Sequence, residues 1–408
     1  MDANDRHAKH ETAMKSAGIF CALPVMVGMF ATPTVAASFT VLYNFSGGSD
    51  GAQPQAGLLR NASGTLYGTT AIGGSQGKGT VFKFSGGILA TLYVFQGVPD
   101  GANPYGGVAA DKQLNLYGTT LQGGSATGVC APYGCGTVFK VTPAGAETVL
   151  HRFTTSPDGA FPKASPYLTK DRALYLTTSS GGIYAGGTVF TLPKKGAGSN
   201  FYNFGNPALP DGLDPEVGLV PDGARDLITT TNGGFNCSNG TLLSISPIGA
   251  ETVLHEFCGE TDGSRPLGTP TLDATGNIYG TTFFGPNLSC CGTIYEQQST
   301  GGFITLYWFP GSANSAPQGN GPLGGVVRDR KGNLYGTTST GGSSDEGTLF
   351  RLSPSGVLTV LHNFDVNADG ASPMGNLVMD GAGNLYGTTS LGGTSDSGII
   401  YELTTKAP

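Results

Sequence analysis

Charge is what this sequence has least of. Acidic and basic residues together make up 12% of the 408 residues, well below the quarter or so of an ordinary soluble domain. The charge present runs negative, a formal −7 at pH 7. That argues against a nucleic-acid binder, which needs a basic face to replace the counterions on phosphate. The apolar run from Ala17 to Ala31 is interrupted by Pro24 and is too short for a span of ~20 residues. No amphipathic helical pattern of normal length follows it. There is no P-loop, no H-E-x-x-H and no Cys₂His₂ spacing. Two matches to G-x-S-x-G, Gly47–Gly51 and Gly73–Gly77, lack the strand-to-helix setting of a nucleophile elbow. The single tryptophan, Trp308, argues against a rich sugar-stacking cleft.

Glycine is abundant, 68 residues, without the strict period of collagen, so it must serve turns and close strand packing. Repetition is the second positive feature. The segment Asn333-Leu334-Tyr335-Gly336-Thr337-Thr338 recurs, whole or eroded, with copies centred on Tyr67, Tyr117, Tyr175, Ile228, Tyr279, Tyr335 and Tyr386. The steps between them are 50, 58, 53, 51, 56 and 51 residues, a period that propellers use. Each unit reads as four short strands, A to D, bounded by Gly, Pro, Asn or Asp. In one unit these are Gly324–Arg328, Leu334–Thr338, Gly347–Leu352 and Val357–Phe364. The chain after the leader opens with a lone D strand, Phe39–Phe45, and its last unit has A, B and C but no D. The first strand can therefore complete the last unit and remove the exposed edges. The expected fold is all-β: a seven-bladed β-propeller of four-stranded blades, closed by the N-terminal strand. An open β-solenoid is the alternative.

The expected layout is a secretory signal at 1–37, a propeller at 38–403 and a short tail at 404–408. Lys15, the apolar run and Val35-Ala36-Ala37-Ser38 supply the basic flank, hydrophobic region and small-residue cleavage site of a signal. Met14 is an alternative start. The leader removes three acids (Asp2, Asp5, Glu11) and three bases (Arg6, Lys9, Lys15), so the mature charge stays −7. Six cysteines remain, Cys130, Cys135, Cys237, Cys258, Cys290 and Cys291, an even number that suits disulfides in an exported chain. All six fall in B–C or D–A loops. Cys130 with Cys135 is the easiest pair; Cys237 with Cys258 can also meet; Cys290 and Cys291 are left, joined to each other, free or paired elsewhere.

The repeated Leu-Tyr-Gly-Thr-Thr, the following Gly-Gly pairs (Gly73-Gly74, Gly123-Gly124, Gly392-Gly393) and Gly-Thr-Val-Phe-Lys (Gly79–Lys83, Gly136–Lys140) resemble the GloVer-type choice-of-anchor tandem repeat. The resemblance covers residues 39 to 403. It implies an exported bacterial repeat protein and supplies no catalytic residues. Thr404–Pro408 carries no hydrophobic anchor, so the resemblance supports secretion and leaves surface attachment open.

Candidate chemistry sits in the D–A loops. Asp50, Asp100, Asp158, Asp211, Asp262 and Asp369 each precede Gly and stand four residues before Pro. Asp-Gly is foremost a turn; the functional reading is a ring of ligand-binding carboxylates. Asp365, Asn367 and Asp369 fit the start of a calcium loop, but Asn376 stands where an EF-hand needs Glu. Calcium is the only cofactor suggested. His151, His255 and His362 share a D-strand register with Tyr43, Tyr93, Tyr202 and Tyr307, which marks a packing position rather than a metal site. The expected function is an exported binding or scaffold protein using its long-loop face, with no marked catalytic residue. The alternative is a secreted carbohydrate-active hydrolase or lyase using loop-face carboxylates. Expected partners are a polysaccharide or an extracellular protein, with no nucleic acid, no membrane span after signal removal, and a monomeric state.

Overall fold

Each Leu-Tyr-Gly-Thr-Thr copy is one strand, and the role of each residue in it explains why the motif repeats. The leucine, or its substitute, is 0–5% exposed at Leu66, Leu116, Leu174, Leu227, Ile278, Leu334 and Leu385. The tyrosine places its ring at the blade interface and its hydroxyl on the preceding turn: Tyr335 Oη donates to Asp329 at 3.2 Å, and Tyr117, Tyr279 and Tyr386 do the same to Asp111, Asp273 and Asp380. The glycine leaves room for the aromatic residue of strand C. A Cβ at Gly118 would lie 2.4 Å from the Phe139 ring, and one at Gly336 would lie 2.7 Å from Phe350. In six of the seven blades the first threonine donates to the backbone of the next blade: Thr69 to Gly106, Thr119 to Ala164, Thr177 to Val217, Thr230 to Pro266, Thr281 to Gly324 and Thr388 to Ala56, at 2.6–3.1 Å; the Thr337 hydroxyl is buried without a partner. The second threonine pairs with the threonine opening strand C, as Thr338 does with Thr348 at 2.9 Å.

The structure is a computed structural model that describes residues 37–405, apart from 126, 210, 235, 287–290 and 311–315. These residues belong to one unit, Ala36–Pro408. Seven four-stranded antiparallel sheets form the seven blades. The chain is a seven-bladed β-propeller with no α-helix among the described residues. Ring closure is as the strand offset implies: Ser38–Asn44 pairs with Ile399–Thr404, Phe39 opposite Leu403 and Val41 opposite Tyr401. Phe39 also stacks on His362 of the preceding blade, centroids 3.6 Å apart. Every C–D pair carries a register shift, as between Leu349 and Phe350, and such bulges increase the twist of the outer strand. The phenylalanines after strand D, Phe45, Phe95, Phe153, Phe204, Phe257, Phe309 and Phe364, are 0–3% exposed.

Two features differ from the sequence reading. Strand A is two residues long, Val327–Arg328 in the sixth blade, rather than Gly324–Arg328. The residues before it leave the sheet and converge on the propeller axis. The D–A and B–C loops are also not independent. They pair as short ladders or bridges, including Gly101–Ala102 with Gln122–Gly123 and Ala371 with Leu391.

Cys130–Cys135 and Cys237–Cys258 are disulfides. Cys291 is disulfide-bonded; Cys290 and residues 1–36, nearly all of the expected signal at 1–37, lie outside the described residues. No helix among the described residues is long and apolar enough to cross a membrane.

Candidate functional site

The loop-face aspartates are held within their blades. Each meets the D-strand residue seven to nine positions earlier: Tyr43 Oη donates to Asp50 at 3.0 Å, Tyr93 to Asp100 at 2.9 Å and Tyr202 to Asp211 at 3.0 Å. His151, His255 and His362 meet Asp158, Asp262 and Asp369, each at 2.9 Å. In the eroded copy Gln318 takes the aspartate's place and accepts from Tyr307 at 2.7 Å. Backbone amides complete several of these turns, as Ser46 does on Asp50 at 2.8 Å and Cys258 on Asp262 at 3.1 Å. Burial opposes ionisation of Asp50, yet the hydrogen bonds from Ser46 and Tyr43 outweigh it and hold the carboxyl below its usual range. Asp262 follows the same balance with His255 and Cys258. Asp211 does not: its burial outweighs the bonds from Tyr202, Asn206 and Gly205, and its pKa is raised. The histidines occupy the tyrosine register as packed rings, with His255 stacked on Phe303 at 3.6 Å.

The Asp365 turn is also self-contained. Asp365 accepts from the Asn367 amide at 2.9 Å, and its own amide donates to Asp369 at 2.9 Å. Among the described residues no three His, Cys, Asp or Glu side chains group closely enough to hold a metal ion.

The structure gathers a different set of side chains. In each D–A loop a buried proline, Pro54, Pro104, Pro162, Pro215, Pro266, Pro322 or Pro373, is followed by one residue facing a common axial cavity of about 580 Å³. Those residues are Gln55, Tyr105, Lys163, Glu216, Leu267, Leu323 and Met374. All seven are partly exposed. The next residue is Ala or Gly in six loops and Val217 in the fourth, because the loops crowd the axis. A Cβ at Gly106 would lie 2.5 Å from Ala164 backbone, and one at Gly375 would lie 2.4 Å from Ala56 backbone.

The prolines are clamped from the preceding blade. A Cβ at Gly79 would lie 2.6 Å from Pro104 Cδ, and one at Gly398 would lie 2.7 Å from Pro54 Cδ. The residue before each proline takes positive φ, 52–60°, at Gln53, Asn103, Phe161, Asp214, Arg265, Gly321 and Ser372. For side-chain-bearing residues this costs about 1–2 kcal/mol each. It is held by hydrogen bonds on both sides: Asn103 donates its amide to Lys78 of the preceding blade at 2.9 Å and accepts from Leu121 of its own at 2.9 Å.

The cavity wall is chemically lopsided. Lys163 and Glu216, on adjacent blades, form an ion pair. Leu267, Leu323 and Met374 line the next three blades, and Gln55 and Tyr105 complete the circle. Glu216 is the only carboxylate among the described residues that line it. The two carboxylates of a glycosidase are therefore not brought together here. The seven-residue ring escaped sequence reasoning, which stopped at the recurrent Asp-Gly. Its signal was present only in part: in the aligned Asp-Gly-x-x-Pro segments the positions on both sides of the proline change from blade to blade, and only the tertiary structure shows that the second of them faces the axis.

The Gloeobacter/Verrucomicrobia repeat model matches residues 28–130, 125–286 and 222–407. No curated protein matches the chain. Among solved structures, the extracellular domain of a putative hybrid two-component system from B. thetaiotaomicron is similar over 89% of this chain, at 14% identity and a TM-score of 0.56; the match takes in 39% of that chain. A puromycin-hydrolyzing peptidase of Mycobacterium tuberculosis is similar over 92% of this chain and 55% of its own, at 12% identity and a TM-score of 0.51. A gluconolactonase from Xanthomonas campestris matches over 90% of this chain and 89% of its own, at 15% identity and a TM-score of 0.42. At such identities the first two likenesses speak for the fold alone. The family match extends over nearly the whole chain, which belongs to the Gloeobacter/Verrucomicrobia repeat family.

Proposed function

We propose that this member of the Gloeobacter/Verrucomicrobia repeat family is an exported binding protein that holds its ligand in the axial cavity on the long-loop face. One observation carries the reading. All seven repeats keep the proline, yet the residues after it, Gln55, Tyr105, Lys163, Glu216, Leu267, Leu323 and Met374, bring a cation, an anion, two uncharged polar groups and three apolar side chains to one cavity. The residues before the prolines vary as well, but only the seven after them share one cavity. Variable side chains on a rigid frame are how scaffolds present recognition surfaces. Export is supported by the disulfides, Cys130–Cys135 and Cys237–Cys258 among them, since such bonds persist in oxidising compartments.

Thermal unfolding of residues 38–408 against a panel of soluble polysaccharides and peptides tests the proposal, with Leu323→Trp as the variant that fills the cavity. A ligand should raise the melting temperature of the native chain and lose that effect in Leu323→Trp. An equal shift in both proteins, abolished instead by Asp158→Ala, would move the site to the aspartate turns and overturn the reading.

A further inference from the structure

A second asymmetric cavity lies where the sixth and seventh blades meet, on the face of the short A–B and C–D turns. It measures about 580 Å³ and is lined by Arg328, Arg330, Lys331, Arg351, Tyr335 and Met379, among others. The two flanking junctions carry an arginine at the position that closes this space; the other four carry Ala110, Leu168, Pro221 and Leu272. Between the fifth and sixth blades, Arg328 reaches back over the Tyr279 ring, 5.5 Å from its centroid, and lies 4.0 Å from Asp273. Between the seventh and first blades, Arg60 covers Tyr386 at 5.3 Å and lies 3.7 Å from Asp380. The corresponding residue of the seventh blade is Met379. Met379 cannot pair with Asp329; Tyr335 lines the cavity and is itself 7% exposed, as Tyr279 is beneath Arg328.

The charges around this space do not cancel locally. Asp329 also lines it, but already accepts from the Lys331 and Asn333 amides, Asn333 Nδ2 and Tyr335 Oη at 2.7–3.2 Å. Asp380 accepts from Ala382 and Asn384 and lies beside Arg60. Arg330, Lys331 and Arg351 have no ion pair among the described residues; Arg351 makes only a 3.4 Å contact from Nη2 to Thr359. Its Nε is buried without a hydrogen-bond partner. In a chain of net charge −7, this is a local concentration of cations with donors unengaged.

We propose that the cavity binds an organic carboxylate, held by Arg351 and Lys331, on a body the size of a sugar acid that packs beside Tyr335 and Met379. Guanidinium groups suit planar oxyanions through paired N–H donors, and the volume falls in the range of small-molecule sites of ~300–1,000 Å³. The site is independent of the axial cavity.

Isothermal titration of residues 38–408 with galacturonate, galactose, sodium sulfate and polygalacturonate tests it. Galacturonate should bind and galactose should not, with affinity falling as salt rises. Tighter binding of polygalacturonate would identify a polymer unit as the ligand; binding of the monomer alone would identify a free acid. Arg351→Gln and the exposed Lys331→Gln should each weaken galacturonate by about ten-fold. Met379→Arg, which recreates the arginine of the neighbouring junctions, should abolish binding while leaving the melting temperature unchanged or raised. Galacturonate affinity equal to that of galactose, or unchanged in both Lys331→Gln and Met379→Arg, would overturn the proposal; so would sulfate binding without galacturonate binding.

Discussion

Replacing Glu147 by Gln should stabilise the propeller at neutral and alkaline pH and leave it unchanged in acid. Glu147 opens the outer strand of the second blade, Glu147–Arg152, beside Asp100 of the loop before it. Its Oε1 and Asp100 Oδ1 are both buried without a partner. Burial, then the charge of Asp100, raise its pKa from 4.5 to about 7, against a smaller opposing effect of Arg152. The equivalent Glu251 has a partner, since Tyr202 Oη donates to it at 2.7 Å; Tyr93, the counterpart of Tyr202, reaches only Asp100, at 2.9 Å.

A carboxyl whose folded pKa is raised favours folding most when it is protonated. Below pH 4.5 both states hold the proton. Between 4.5 and about 7 the unfolded chain releases it while the native chain retains it, so stability falls with rising pH; above about 7 the loss is complete. Such a shift corresponds to about 3.4 kcal/mol at ~1.36 kcal/mol per unit. The side chain is only half-buried, so screening by water reduces this to about 1–2 kcal/mol. Urea unfolding followed by circular dichroism at pH 4, 6 and 8 reads it directly. The two proteins should coincide at pH 4, and Glu147→Gln should be more stable by about 1–2 kcal/mol at pH 8. Parallel pH curves, or a variant less stable at pH 8, would refute the assignment of strain to this carboxyl.

Two further outcomes follow from the fold. Tyr335→Ala should cost about 3–5 kcal/mol, because the ring is 7% exposed and its hydroxyl braces the Asp329 turn; a loss under ~0.5 kcal/mol in chemical denaturation would show that the repeated aromatic does not hold the blades. Deleting residues 38–46 removes the strand that pairs with Ile399–Thr404 and the Phe39 ring stacked on His362. The truncated chain should melt well below residues 38–408, and equal melting temperatures would contradict closure of the ring by that strand.

The sequence by itself determined the number of blades, the order of strands within each and the closing strand. These follow from short-range rules: alternation of side chains, Gly and Asp-Gly at turns, and an offset of one strand between the chain ends. Leu334–Thr338 lies where the motif puts it, and so do the first two cysteine pairs, because a B–C loop or a blade edge brings their partners together locally. Strand A was overestimated because its neighbours are set by crowding at the axis, which no local pattern encodes. The tertiary structure alone decided which residues share a cavity. Gln55 and Met374 are far apart in the chain and become neighbours only because the first and seventh blades adjoin in a closed ring. The same closure separates two kinds of polar residue that look alike in the sequence. The recurrent aspartates point into their own blades and brace turns. The residues after the prolines point to the axis, where seven distant segments meet.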